Sequence, residues 1–335
     1  MDRRSHVEKL RALDLPVLNT PADVAAALGL TIPKLRWLAF HHPATETTHY
    51  TNFSVPKKSG GQRLLSAPKP AIRACQQWIL ANVLSQVPLH PAAHGFVSRR
   101  SALTNAQPHV AQAVIVNTDI EDFFPSITFP RILGVFKQLG YSPAVATVFA
   151  LLCSESPRRV ASLNGKTMHV AAGPRSLPQG ACTSPALTNI IARRLDAQLT
   201  GIAEKLGWNY TRYADDCTFS ASDSSGEQAG YLLARIRHIL QDEGFRINEK
   251  KTRILRPNAR QSVTGIVVNE RPSLPRKTRR RLRAILHQAA QTGLESQDRD
   301  GHPNFPAWVD GMIANVAMVH PEEGARFRKH FEAIP

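Results

Sequence analysis

Apolar residues along this chain recur at two periods, and the switches between them divide it into elements. Residues 113–120, AVIVNTDI, form a nearly continuous apolar run ending near Asp119, the pattern of a buried strand that delivers a carboxylate at its C-terminal end. Residues 209–220, NYTRYADDCTFS, read as a strand, a tight Ala214-Asp215-Asp216 turn and a second strand. From Tyr50, YTNFSVPKKSGGQRLLSAP flanks a Lys57-Lys58-Ser59-Gly60-Gly61 tip with alternating residues, as a β-hairpin does. The helical period governs 20–40, where Thr20 caps the first of two short helices with Val24, Leu28, Leu35 and Leu38 inward. It returns over about 69–86, 130–153 and 231–245, and over 184–206 with Leu187, Ile190, Ile191, Leu195, Leu199 and Ile202 on one face. Residues 154–176 follow neither period and predict irregular structure or a hairpin. RINEKKTRIL at 246–255 and SVTGIVV at 262–268 add strands. Beyond Pro275 the chain reads as basic helix, with Phe305, Trp308, Met312, Ile313, Val316 and Val319 at helical spacing in the tail. Strands and helices in this mixed order predict an α+β chain.

Length and charge narrow the function. At 335 residues the chain is long enough for about two compact units, and 42% hydrophobic with 20% charged residues excludes a disordered or fibrous class. Lys and Arg number 42 against 26 acidic residues, a formal charge of +16 that favours a polyanionic partner. Most of the excess is late: 13 Lys or Arg between Arg246 and Arg283 face only Glu249 and Glu270. Cys75, Cys153, Cys182 and Cys217 show no paired ligand spacing and read as reduced thiols. The start carries no apolar signal region and no stretch reaches the ~18 apolar residues of a membrane span, so a cytoplasmic protein without a membrane partner is expected. The 20–40 segment also resembles a helix-turn-helix, which raises a DNA-binding regulator as a rival, but that reading leaves most of the chain without a purpose.

Asp119, Asp215 and Asp216 are expensive places for charge. A carboxylate between apolar strands needs a compensating cation, and converging oxygens without nitrogen or sulfur ligands describe a magnesium site rather than a zinc site. Two such ions about 4 Å apart clamp the attacking and leaving oxygens of a phosphoryl displacement. A lone Asp-Asp pair is more often a solvated turn. The conjunction with Asp119 argues against that here.

These motifs resemble those of the reverse transcriptases, over about residues 20–335. TDIEDFFPSI at 118–127 is similar to the family's first aspartate motif, LPQGACTSP at 177–185 to its QGxxxSP motif, and YADD at 213–216 to its YxDD turn. The resemblance implies a right-hand polymerase fold with fingers, a palm built on a small antiparallel sheet, and a helical thumb. The expected segments are an N-terminal helical extension at 1–49, fingers at 50–112, palm at 113–262 with about 130–178 inserted as fingers, and primer grip with basic thumb at 263–335. It implies Asp119, Asp215, Asp216 and the Ile120 carbonyl as ligands of two Mg2+ ions, with Mn2+ a possible substitute. Arg63, with Lys58 or its neighbour Lys57, would close on the triphosphate. Gln179 and Gly180 would touch the nucleotide, and Phe124 would exclude a ribose 2′-hydroxyl, so that deoxynucleoside triphosphates are the substrates. Lys251, or Lys250 beside it, would protonate the departing pyrophosphate.

Two shorter strings point to the bacterial retron enzymes within that family. Asn105-Ala106-Gln107-Pro108-His109 is similar to their NAxxH signature and Val263-Thr264-Gly265 to their VTG signature. By resemblance Asn105, His109, Thr264 and Gly265, with Arg276, Lys277, Arg280 and Arg281 of the basic segment, would meet nucleic acid. The retron resemblance implies a cognate structured noncoding RNA as template and primer, priming from a 2′-hydroxyl, a branched RNA–DNA hybrid product and a role in phage defence beside an effector protein. No second acidic cluster suits ribonuclease H, so removal of template RNA would fall to a host enzyme. The rivals are a group II intron-like or orphan reverse transcriptase acting on another RNA, and a catalytically silent RNA-binding protein.

Overall fold

The computed structural model describes residues 4–56, 60–163, 165–222 and 226–334. The chain divides into two compact units, each assembled from separated segments. One comprises Met1–Pro91, Ile120–Gln198 and His238–Arg246; the other comprises Ala92–Asp119, Leu199–Arg237 and Ile247–Pro335. Among the described residues no helix is long and apolar enough to cross a membrane. Among the described residues no disulfide forms, and Cys75, Cys153, Cys182 and Cys217 are thiols.

The first unit is built mainly of helices around a hairpin. Thr20 and Asp23 form a reciprocal capping box on helix Pro21–Ala27, so two orphan backbone donors are satisfied at its start. The hairpin pairs Tyr50–Pro56 with Gln62–Pro68 in antiparallel register, Tyr50 opposite Pro68. The 130–153 segment is two helices rather than one, Phe129–Leu139 and Pro143–Leu152. Gly140 ends the first at φ 109°, while Ser142 caps the second and Pro143 opens it, so three stop and start signals in succession outweigh the continuous apolar period. Phe149 gathers Phe136 and Tyr141 at ring separations of 5.2 Å. The 154–176 segment resolves into a hairpin, Arg158–Leu163 with Lys166–Ala171, whose second strand also pairs with Ala44–Thr45. The 184–206 helix is interrupted at Ala192 into Ser184–Ile191 and Arg193–Lys205.

The second unit carries a four-stranded antiparallel sheet in the order Asn209–Tyr213, Asp216–Ala221, Val114–Asp119, Arg253–Leu255. Val114, Ile115 and Val116 are fully buried, so the apolar run belongs to a central strand covered on both faces. The 246–255 segment yields only the short edge strand Arg253–Leu255, because Asn248 turns the backbone: both Lys251 and Thr252 donate to its carbonyl. Val263-Thr264-Gly265 forms the turn of a small hairpin, Ser262–Val263 with Ile266–Val267, with φ 47° at Thr264 and 84° at Gly265. Positive φ at both central residues is the turn whose twist suits a two-residue hairpin. Three helices, Arg276–Thr292, Phe305–Val319 and Pro321–Glu332, then pack Leu282, Leu286, Phe305, Val309, Ile313 and Phe327 against Ile115 and Ile266 in one apolar cluster. The last two helices approach closely at Gly324, where a Cβ would lie 2.3 Å from the Ala317 Cα.

Candidate active site

The sheet brings the acidic residues together. Asp119 ends its strand as the direct cross-strand partner of Asp216, and Tyr213 pairs with Asp216 on the other side, so Ala214 and Asp215 are the two residues of the hairpin turn. Asp119 is 6% exposed. Its Oδ2 accepts from Lys251 Nζ at 2.8 Å, its Oδ1 from Asn248 Nδ2 at 3.2 Å, and its backbone carbonyl from Asn248 N at 2.7 Å. Burial, followed by the charges of Asp215 and Asp119, pushes the Asp216 carboxyl up to about 7, against the pull of Lys251. Loss of solvation works to lower the Lys251 ammonium, but the bond to Asp119 and the three carboxylate charges outweigh it and leave its pKa raised.

The turn itself is braced. Ala214 adopts φ 57°, a left-handed conformation that costs a residue bearing a Cβ. The fully buried Arg212 donates from Nη1 to the Ala214 carbonyl at 2.9 Å. A strap of chain runs beside Arg212 outside the sheet: Ala93 bridges to it in parallel, His94 N donates to Arg212 O at 2.7 Å, and Arg212 N donates to Ala92 O at 2.8 Å. Gly95 then lies directly on the turn. A Cβ there would fall 2.4 Å from the Ala214 nitrogen, so only glycine permits the approach. The sequence reading missed this strap and Asn248. Asn248 sits within the INEKKT string already quoted, whereas the strap gives no periodic signal.

The NAxxH and VTG strings lie in the same unit as supports. His109 is fully buried, with Nδ1 2.7 Å from Ser220 Oγ and Nε2 2.8 Å from Thr211 Oγ1, so its ring ties together the two strands that carry the aspartate turn. Burial, with a smaller contribution from His94, drives its pKa down to about 3 and keeps the imidazole neutral. Asn105 is also fully buried, and its carbonyl accepts from Thr211 Oγ1 at 3.3 Å. Both were expected at a nucleic-acid interface. In this structure both side chains are buried, that of His109 as a brace between Thr211 and Ser220, while the Thr211 bond to Asn105 is made by the Asn105 backbone carbonyl. Thr264 Oγ1 donates to the Ala102 carbonyl at 3.2 Å, which pins the strained turn to the short helix Ala102–Ala106, and Gly265 is exposed.

The basic helix sorts its own arginines. Arg279 and Arg283 both hold the buried Glu323, at 2.6 and 2.8 Å. Arg281 reaches Asp300 and lies 5.1 Å over the Trp308 ring, so part of its charge is engaged internally rather than offered outward. Arg276, Lys277 and Arg280 are exposed.

The other unit holds the residues expected to meet the nucleotide. A cleft of about 260 Å³ is lined by Gln62, Arg63, Asp122, Glu155, Ser176 and Gln179 among others. Gln179 O accepts from Ser66 N at 2.7 Å, and Gly180 at φ 118° passes so near that a Cβ would lie 3.0 Å from the Ser66 carbonyl. The hairpin and the QG loop are thereby joined. The Phe pair divides its roles: Phe123 is buried against Phe245 at 5.6 Å, while Phe124 is half-buried. Ile120, next after Asp119, buries its side chain. Lys57 and Lys58 lie outside the described residues.

Oxygen donors alone make up the acidic cluster, and burial first, then the neighbouring charges of Asp215 and Asp119, raise the Asp216 carboxyl, a donor set and environment that fit hard divalent cations. Among the described residues no three His, Cys, Asp or Glu side chains converge as a ready-made metal cage. The Lys251 ammonium lies 2.8 Å from Asp119 Oδ2, so a divalent cation held there would share that carboxylate with it.

Residues 55–287 match the family model described as reverse transcriptase (RNA-dependent DNA polymerase). The chain is 46% identical to the retron Mx65 reverse transcriptase of Myxococcus xanthus, over 96% of this chain and 73% of that one. It is 40% identical to the retron Mx162 reverse transcriptase of the same organism, over 96% and 68%, and 34% identical to the retron Ec86 reverse transcriptase of Escherichia coli, over 83% and 81%. Among solved structures, telomerase from Candida albicans in complex with a telomeric RNA fragment aligns at a TM-score of 0.49 and 12% identity, over 85% of this chain and 56% of that one.

Proposed function

Because this chain belongs to the reverse transcriptases, as a bacterial retron-type RNA-directed DNA polymerase, we propose that it copies part of a cognate structured noncoding RNA into single-stranded DNA. The observation that carries this reading is the cross-strand pairing of Asp119 with Asp216 at the YADD turn, beside Lys251. Asp119, Asp215, Asp216 and the Ile120 carbonyl would hold two divalent cations, Mg2+ or in its place Mn2+. When bound, these supply Lewis-acid activation of the primer hydroxyl and neutralisation of the triphosphate.

The chain's own residues do the rest. Asp119 holds Lys251 in reserve, and an ammonium released from that carboxylate is free to protonate the pyrophosphate as it departs. Asn248 keeps the Asp119 carboxylate turned to the site throughout. Arg63 receives the triphosphate, Gln179 and Gly180 contact the nucleotide, and the Phe124 ring excludes a 2′-hydroxyl by volume. Arg276, Lys277 and Arg280 bind phosphates of the template–product duplex without reading sequence, so binding falls steeply with salt.

The same proposal extends to priming from a 2′-hydroxyl of the RNA, a branched RNA–DNA product, removal of template by a host ribonuclease H, and service beside an effector protein in phage defence, as the retron resemblance of the sequence implies. The test is to sequence nucleic acid copurified with the protein from cells. DNA covalently joined to one discrete RNA supports the reading, and random cellular RNA without DNA contradicts it.

A further inference from the structure

The strap that braces the YADD turn ends on an aromatic ring held toward solvent. Phe96 follows Gly95 immediately, has 55% of its surface exposed, and adopts φ 60°. A bulky L residue in the left-handed region is an uncommon, strained choice. Arg99 repeats the pattern three residues on, exposed and at φ 61°. The loop between them is fixed at both ends. Gly95 is seated on Ala214, and Arg100 Nη1 donates to the Ala93 carbonyl at 2.5 Å. The ring is therefore presented by a rigid support one residue from a contact with the turn that carries Asp215, about one 3.8 Å Cα step away.

We propose that Phe96 is a binding residue for the primer strand, packing its ring on the sugar and base of the nucleotides next to the reactive 3′ end. This rests on the polymerase reading above. If the aspartates receive a primer 3′ hydroxyl, the nucleic acid nearest to Phe96 is that same strand end. An aromatic face beside an exposed arginine is the combination by which proteins hold nucleic acid without regard to sequence. It offers apolar contact to a sugar or base and charge to the adjacent phosphate.

Two measurements test the assignment. Steady-state extension of a separate 5′-labelled primer on an RNA template should show the primer–template KM of Phe96→Ala raised between about fivefold and about 150-fold, the span of aromatic contacts to single nucleotides. Phe96→Tyr should stay near wild type, Phe96→Leu should fall between, and the KM for deoxynucleotide should hold in all three. A photoreactive benzoylphenylalanine at position 96 should crosslink to the 3′-terminal nucleotides of the labelled primer. An unchanged primer–template KM in Phe96→Ala, or crosslinks confined to the template strand or to protein, would overturn the proposal. Wild-type protein that extends no primer at all would instead overturn the polymerase reading. Tm and the rate of a single incorporation at saturating primer–template, recorded for each variant, separate a lost contact from a lost fold: a KM change with both preserved supports the proposal, and a KM change that only follows a fall in Tm overturns it.

Discussion

Gly95→Ala is the sharpest perturbation of the strap. The added Cβ would lie 2.4 Å from Ala214 N, 3.0 Å from Tyr213 C and 3.3 Å from Ala214 Cα, all backbone atoms that no side-chain rotation relieves. Carbon in ordinary contact sits roughly 3.5 Å from its neighbours, so strap and turn must separate by about 1 Å. The strap is bonded to both backbone groups of Arg212, whereas the Ala214 carbonyl is held through the longer Arg212 side chain, so the turn is the part that yields. A displacement of about 1 Å at a group that positions reacting atoms costs about 100-fold in rate. The accompanying overpacking costs roughly 1–3 kcal/mol of stability. A domain stable by about 5–15 kcal/mol remains folded after such a loss, so activity should fall far more than the folded fraction. Single-turnover incorporation of one deoxynucleotide, at saturating nucleotide and template, measures the chemical step, with Tm recorded on the same sample. A rate within twofold of wild type would refute the claim that the strap sets the position of the aspartate turn.

Three further perturbations probe the rest of the unit and the nucleotide pocket. His109 is neutral when folded and has its pKa depressed to about 3, whereas the unfolded chain takes up a proton near 6.5. Its contribution to stability is therefore complete above pH 6.5 and is lost as pH falls toward 3, at about 1.4 kcal/mol per pH unit, a slope that His109→Gln should remove from denaturation curves. The Asp216 carboxyl, half protonated near pH 7, must lose its proton to bind a cation. Apparent Mn2+ affinity should thus weaken by up to about tenfold per pH unit below 7, with proton release visible by calorimetry in different buffers, and Asp216→Asn should abolish both effects. Phe124→Ala should admit ribonucleotides more readily, read as a fall in the ratio of kcat/KM for deoxy- over ribonucleotide.

The sequence exposed what local pattern encodes. The 113–120 run and the 209–220 hairpin were legible because apolar residues stop at aspartates, and the same strings placed Asp119, Asp215 and Asp216 close enough to expect an acidic cluster. The Gly140, Ser142 and Pro143 signals were present too, but the apolar spacing on either side ran on in phase and hid the break. What pattern does not encode is backbone proximity. Gly95 looks like any loop glycine until Ala214 is found against it. His109 is a polar residue in a short motif, a description that suits an interface as well as a buried brace; only the hydroxyls of Thr211 and Ser220 decide between them. Lys251 was singled out for its place in INEKKT, while its bond to Asp119 depends on an edge strand meeting a central one 132 residues away.

The central claim is that Asp119, Asp215 and Asp216 together drive RNA-templated DNA synthesis. The most direct measurement is primer extension on an RNA template with deoxynucleotides and Mg2+, comparing wild type with the double variant Asp215→Asn, Asp216→Asn at matched template binding. Incorporation by the wild type that disappears in the double variant, while RNA binding and Tm persist, is the predicted result. Incorporation that continues undiminished without those two carboxylates would contradict it.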